Sequence, residues 1–197
     1  MIKVLHTRRV LERLQLWRQE SAGAAAVEFV LVAPILVALY LGGFAAQELL
    51  TTYRKVCDAT AQLANIASQP QCVTSAELTT LMTASTQVMA PYSTTNLQLA
   101  TSEITVNAAG TGATVTWSQA YNGGTALTTG AAWTLPSQLL YPTSPNAAGT
   151  SYILVQSNYS YQANIGGVYV GGNVPMSSQL YMPPQNSGSI PLDPVCS

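Results

Sequence analysis

An α+β architecture, two helices leading into an antiparallel sheet, is what this sequence predicts, and three observations predict it. Phe29 to Gln47 is a run of 19 residues without a charge, preceded by the small residues Gly23 to Ala26. Thr74-x-x-Glu77 has the form of a capping box and opens a second, shorter helical pattern. From Ile104 onward the apolar period changes from helical to two, the mark of strands. The expected molecule is therefore a long N-terminal membrane-spanning helix continuing as a stalk, then a small head with a short helix and an antiparallel sheet.

The first helix takes its length from the bilayer. With Ala24 to Val27 at its front, the uncharged run reaches the roughly 20 residues that cross about 30 Å of hydrocarbon. Lys3, Arg8, Arg9, Arg13 and Arg18 precede it, and Arg54 and Lys55 are the last basic residues in the chain. By the positive-inside bias the N-terminus stays cytoplasmic and the remainder is exported. Residues 4–18 interleave Val10, Leu11, Leu14 and Trp17 with the arginines, a basic amphipathic leader. Four parts follow: a leader at 1–23, a transmembrane helix at 24–48, an exported stalk at 49–69 and a head at 70–197. Leu49, Tyr53, Val56, Thr60, Leu63 and Ala67 share one face, which carries the helix onward until Gln69-Pro70 stops it. Pro34 removes one amide donor inside the span and is expected to kink or loosen that turn.

In the head, Leu78, Leu81, Met82, Val88 and Met89 fall on one helical face before Pro91. Ile104 and Val106, then Val115 and Trp117, alternate about a turn at 108–112 and predict a hairpin. Asn122-Gly123-Gly124 marks a further turn, and residues 125–150 read as a long connection. Tyr152 to Tyr161 is the strongest strand, with Ile153, Val155, Tyr159 and Tyr161 on one side and Tyr152 and Leu154 on the other. A last strand runs from Val174 to Met182, with Gly166-Gly167 and Gly171-Gly172 punctuating the stretch before it.

Composition narrows the chemistry. From Val56 onward there is no Lys, Arg or His, so nucleic acid is excluded as a partner, since phosphate neutralisation needs cations. His6, the one histidine, lies in the leader, so no Ser-His-Asp or Cys-His set is expected in the head. A carboxylate pair from Asp58, Glu77, Glu103 and Asp193 has no supporting spacing, the glycines read as turn formers, and neither a cofactor nor a metal is expected. The reading is therefore not an enzyme. Of the three cysteines, Cys57 falls too far back along the stalk for Cys72 to reach it easily, which leaves Cys72 with Cys196 as the better pair. That bridge closes a loop worth on the order of 4 kcal/mol in the entropy treatment; Cys57 is then free, as a small buried thiol, or pairs between subunits.

The junction before the apolar run is unusual. An ordinary signal peptide is cut after its apolar region, whereas here the small residues stand before it, so cutting at this point leaves the membrane helix on the mature chain. The run Ser21 to Leu36, with Gly23, Ala24, Glu28 and Pro34 in place, resembles the opening of TadE-like proteins, pseudopilins of tight-adherence (Flp) pilus systems. Tyr152 to Tyr161 and Val174 to Pro183 are similar in arrangement to that family's closing strands. The resemblance implies a prepilin peptidase cutting between Gly23 and Ala24. It also implies that Glu28 pairs with the new amine of Ala24, on itself or a neighbour, as subunits assemble. Its implied partners are other pilin or pseudopilin subunits, the assembly machinery and the membrane, and its implied work is surface attachment by a minor pilin of the bacterial inner membrane. Two other readings stay open: a single-pass membrane protein whose head binds a partner or the cell wall outside any pilus, and a secreted domain cut after Ala45.

Overall fold

The computed structural model describes residues 21–140, 149–165, 168–193 and 195–196. Its elements are α1 (Ser21–Ala67), α2 (Ser75–Thr86) with a 3-10 turn at Gln87–Met89, β1 (Leu97–Val106), β2 (Ala113–Tyr121), β3 (Ala132–Trp133), a 3-10 turn at Ser137–Leu139, β4 (Ser151–Ile165) and β5 (Val168–Met182). The α+β order is as expected. The basic leader at 4–18, Pro142 and Pro145 of the connection, and Gly166-Gly167 lie outside the described residues.

Compactness divides the chain between Gln47 and Glu48. In the second unit, Glu48–Ser197, the five strands form one sheet in the order β3-β2-β1-β4-β5, with every named pair antiparallel. The second half of α1 lies against this sheet, and Val56, Leu63, Ala64 and Ala67 enter one core with Leu97, Leu99, Ile153, Val155 and Tyr159. Residues 49–69, set apart as a stalk by the sequence, are thus part of the packing of the head. Tyr53, placed on the buried face by spacing alone, is exposed, and Thr52 is buried beside it. The Thr52 hydroxyl donates to the Glu48 carbonyl at 2.9 Å, so its burial leaves no orphan polar group.

α2 starts as the capping box predicts. The Glu77 N–H donates to Thr74 Oγ1 at 3.2 Å, and the Thr74 N–H donates to Glu77 Oε2 at 2.9 Å. Leu78, Met82 and Met89 bury their side chains in the same core as α1. At the β1–β2 pairing the register shifts between Glu103 and Ile104, so Glu103 lies opposite Trp117 while Ile104 lies opposite Val115. β1 runs on without an extra residue, so Ile104 and Val106 fall by alternation on the face opposite Leu97 and Leu99. The unpaired residue is Thr116 in β2, and it turns Val115 away from the face of Trp117, with which the sequence had aligned it, into a second core with Ile104, Val106, Tyr152 and Leu154. Leu127, Trp133, Leu135, Leu139 and Leu140 cover that face, so the 125–150 connection, which the sequence left without elements, contributes a two-residue strand and an apolar lid to it. The two sides of β4 divide between the two cores as the sequence alternation has them.

The turn after β2 shows why its residues are fixed. Asn122 and Gly123 have φ of 52° and 78°, and a side chain at Gly124 would run into the Leu99 carbonyl. Asn122 Nδ2 donates to the carbonyls of Thr95 and Leu97, each at 2.9 Å. β5 begins before Gly171-Gly172, at Val168, yet the glycines do punctuate its pairing: Tyr161 pairs with Val174 and Ala163 with Val170, so the β4–β5 register shifts across them, with Gly171 at a φ of 80°.

Candidate functional site

The first half of α1 carries the residues that the sequence singled out. Gly23, Ala24, Glu28 and Pro34 all lie within the helix, and each is exposed. A side chain added at Gly23, Gly42 or Gly43 would meet nothing within 4 Å. Pro34 lacks the N–H that would bond the carbonyl of Val30, yet the helix runs on through it. The most apolar stretch has a mean hydropathy of 2.3 over 18 residues, none of it buried. Phe29, Leu31, Leu36, Leu39 and Tyr40 are all more than half exposed. A water-facing protein surface seldom presents a contiguous apolar patch beyond a few hundred Å2. The helix therefore has the length and composition of a single-pass membrane anchor, at 1.5 Å rise per residue.

Beyond Gln47 the same helix becomes polar on one side and buried on the other. Lys55 Nζ donates to the Val88 carbonyl at 3.1 Å, and the Thr60 hydroxyl meets the Ser157 hydroxyl at 2.6 Å inside the core. The Tyr161 hydroxyl donates to Glu48 Oε2 at 3.5 Å. Burial, then the neighbouring Glu48 charge, pushes the Tyr161 phenol above its ordinary range, because both oppose a phenolate.

The chain's tail is held by a set of contacts at the far end of α1. Cys72 and Cys196 are bonded with Cα atoms 5.8 Å apart, and Cys57 is a free thiol of intermediate burial. Val73 and Leu192 form an isolated parallel bridge, with the Val73 N–H on the Pro191 carbonyl and the Asp193 N–H on the Val73 carbonyl, both at 3.1 Å. The Gln185 N–H donates to the Ser68 carbonyl at 2.8 Å, and Asn186 Nδ2 donates to the Gln69 carbonyl at 2.7 Å.

Glu103 is the residue whose place sequence reasoning missed. It is 1% exposed, and its Oε1 accepts the Ile190 N–H at 2.8 Å. Trp117 Nε1 donates to the Ile190 carbonyl at 2.7 Å, so one buried residue of the tail is gripped at both its backbone groups. Burial pushes the Glu103 carboxyl above the usual carboxylate range, with hydrogen bonds from Ile190, Ser151 and Trp117 opposing that shift. The other carboxylates of the head are placed apart from it. Glu77 caps α2 and is held below the usual range by the Thr74 backbone and hydroxyl, Asp193 accepts the Val195 N–H at 3.2 Å, and Asp58 is exposed on α1. Among the described residues, no three His, Cys, Asp or Glu side chains converge.

An exposed apolar helix long enough to cross a membrane, joined to a disulfide-closed α+β head, is the arrangement of a single-pass membrane-anchored protein. More particularly, residues 23–64 match the family model described as TadE-like protein, so the resemblance seen at Ser21 to Leu36 holds across the helix. That match suggests a pilus-associated protein. No curated protein and no solved structure matches the chain.

Proposed function

We propose that this chain is a minor pilin or pseudopilin of a tight-adherence pilus. A prepilin peptidase removes residues 1–23, residues 24–48 hold the product in the bacterial inner membrane with the N-terminal side cytoplasmic, and the head is exported. The subunit then joins other pilin-like subunits through its helix and contributes to surface attachment, with no chemical turnover of its own. The observation that carries this reading is Gly23, Ala24 and Glu28 standing directly before a membrane-length helix that buries none of its most apolar stretch, inside the segment matched as TadE-like. Glu28 is costly in a simple anchor, since an acidic side chain at mid-bilayer is unfavourable by about 3 kcal/mol on insertion scales. Pairing with the amine of a processed N-terminus offsets that cost at the helix interface.

N-terminal sequencing of the native protein should find Ala24 first, and Gly23→Leu should retain the leader. Native protein that starts at Met1 or Ala46 would overturn the proposal. Glu28→Ala should insert and be cleaved normally yet be depleted from the pilus fraction. If it co-purifies with the other subunits as wild type does, Glu28 faces headgroups and has no assembly role.

A further inference from the structure

We propose that the head carries a binding cleft for a neutral oligosaccharide, on the face of the sheet opposite α1 and beside the end of β1. Gln98 on β1 lies opposite Asn158 on β4, and Asn158 lies opposite Ser177 on β5, so three uncharged polar side chains form one row across three strands. Residues in direct register project from the same face of a sheet. Ser160 and Pro175 form the next paired position on that face, and Asn96 stands at its edge. Together they line a cavity of about 460 Å3, within the range of small-molecule sites.

The lining determines the chemistry. No charged residue borders this cavity, and the chain has no Lys, Arg or His after Lys55 to neutralise an anion. Each amide both donates and accepts, as does each hydroxyl, which matches the hydroxyl groups of a sugar. Gln98, Asn158 and Ser177 are exposed, and among the described residues their side chains have no intramolecular hydrogen bond. The neighbouring Asn122, by contrast, spends its amide donor on the Thr95 and Leu97 carbonyls. A second hollow of about 430 Å3 shares Asn96, Tyr159 and Ser160 with the first and extends to Tyr92 and Glu48. The residues shared by the two hollows leave room beyond a single sugar, and neither lining holds a cation to pair with an acidic glycan. The inference goes beyond pilus membership and does not depend on it.

The test uses the full chain in lipid nanodiscs, which avoids sugar-headed detergents, with ligand-observed saturation-transfer NMR. Chitotriose probes N-acetylated wall-type glycans, maltotriose and cellotriose probe neutral hexose glycans, and trigalacturonate is the acidic counterpart. At least one neutral trisaccharide should bind saturably and trigalacturonate should not. The double variant Gln98→Ala/Asn158→Ala should weaken binding about tenfold or more, since two amide partners are removed. Gln62→Ala, exposed on α1, should bind as wild type. If the double variant does not keep the wild-type melting point, Ser177→Tyr on the edge strand replaces it as a steric block with the same expected loss. Absence of binding by all three neutral sugars overturns the inference, as does equal binding of trigalacturonate or undiminished binding by a folded variant.

Discussion

α1 is one helix with two kinds of surroundings. Leu36 in its first half is 57% exposed and Leu63 in its second half is fully buried, although both are leucines in the same secondary structure. In the second half the helix draws its stability from a core shared with β1, β4 and α2. In the first half none of the most apolar stretch is buried among the described residues, so as a membrane anchor its stability would rest on its backbone hydrogen bonds, since an unpaired N–H or C=O in lipid costs several kcal/mol. Helical periodicity is therefore no guide to what a helix packs against; the distribution of charge along it is the better guide.

That contrast is open to direct attack, and the largest effect is expected from the tail. Cys196→Ser should lower the stability of the head by about 4 kcal/mol, roughly 10 °C in melting temperature. By hydrogen exchange in nanodiscs, residues 48–67 should lose protection while 29–47 keep theirs; parallel loss in both halves would show that they are stabilised together. Next in size, Leu63→Ala should cost about 3 kcal/mol, as burial without room to collapse implies. Leu36→Ala should change the melting of the head by less than about 0.5 kcal/mol. An equal effect of the two leucines on head melting would remove the distinction drawn here.

The smallest effect concerns Glu103. Its folded-state pKa is raised by burial, so the folded chain holds this proton more tightly than the unfolded chain does. The stability that follows is complete below the ordinary carboxylate range and is lost as pH rises through the raised value. Glu103→Gln keeps an acceptor for the Ile190 N–H and removes the titration. The melting temperature of wild type relative to this variant should therefore rise on acidification from pH 7, by under about 4 °C. A difference that stays flat with pH would mean that Glu103 titrates alike in both states.

Much of this fold is local information and so was legible. The capping box at Thr74 and Glu77 needs only four residues, and the two faces of β4 follow from strict alternation. The same holds for the match at residues 23–64, where junction, glutamate, apolar run and proline are contiguous. What escaped is set by distant partners. Glu103 reads as an ordinary strand carboxylate until Ile190, 87 residues later, folds onto it. β3 is two residues long, too short for a periodic signal, and exists through its pairing with Ala113 and Thr114. Gly171-Gly172 marks a shift in the β4–β5 register and not an end to the strand, because an edge strand pairs on one side only and accommodates the irregularity. Tyr53 was assigned inward because helical spacing fixes a face only to within a residue, and the tyrosine yields that place to the smaller Thr52.

The bond between Cys72 and Cys196 also sets how the head answers a mechanical load. Tension applied between Cys196 and the end of α1 at Ala67 would, without the bridge, draw the intervening chain out to roughly 450 Å. With the bridge closed, the force passes through sulfur to Cys72 and then along five residues to the helix, an extension of at most about 18 Å. Every strand lies inside the bypassed loop, so a pull along that line leaves the sheet unstretched.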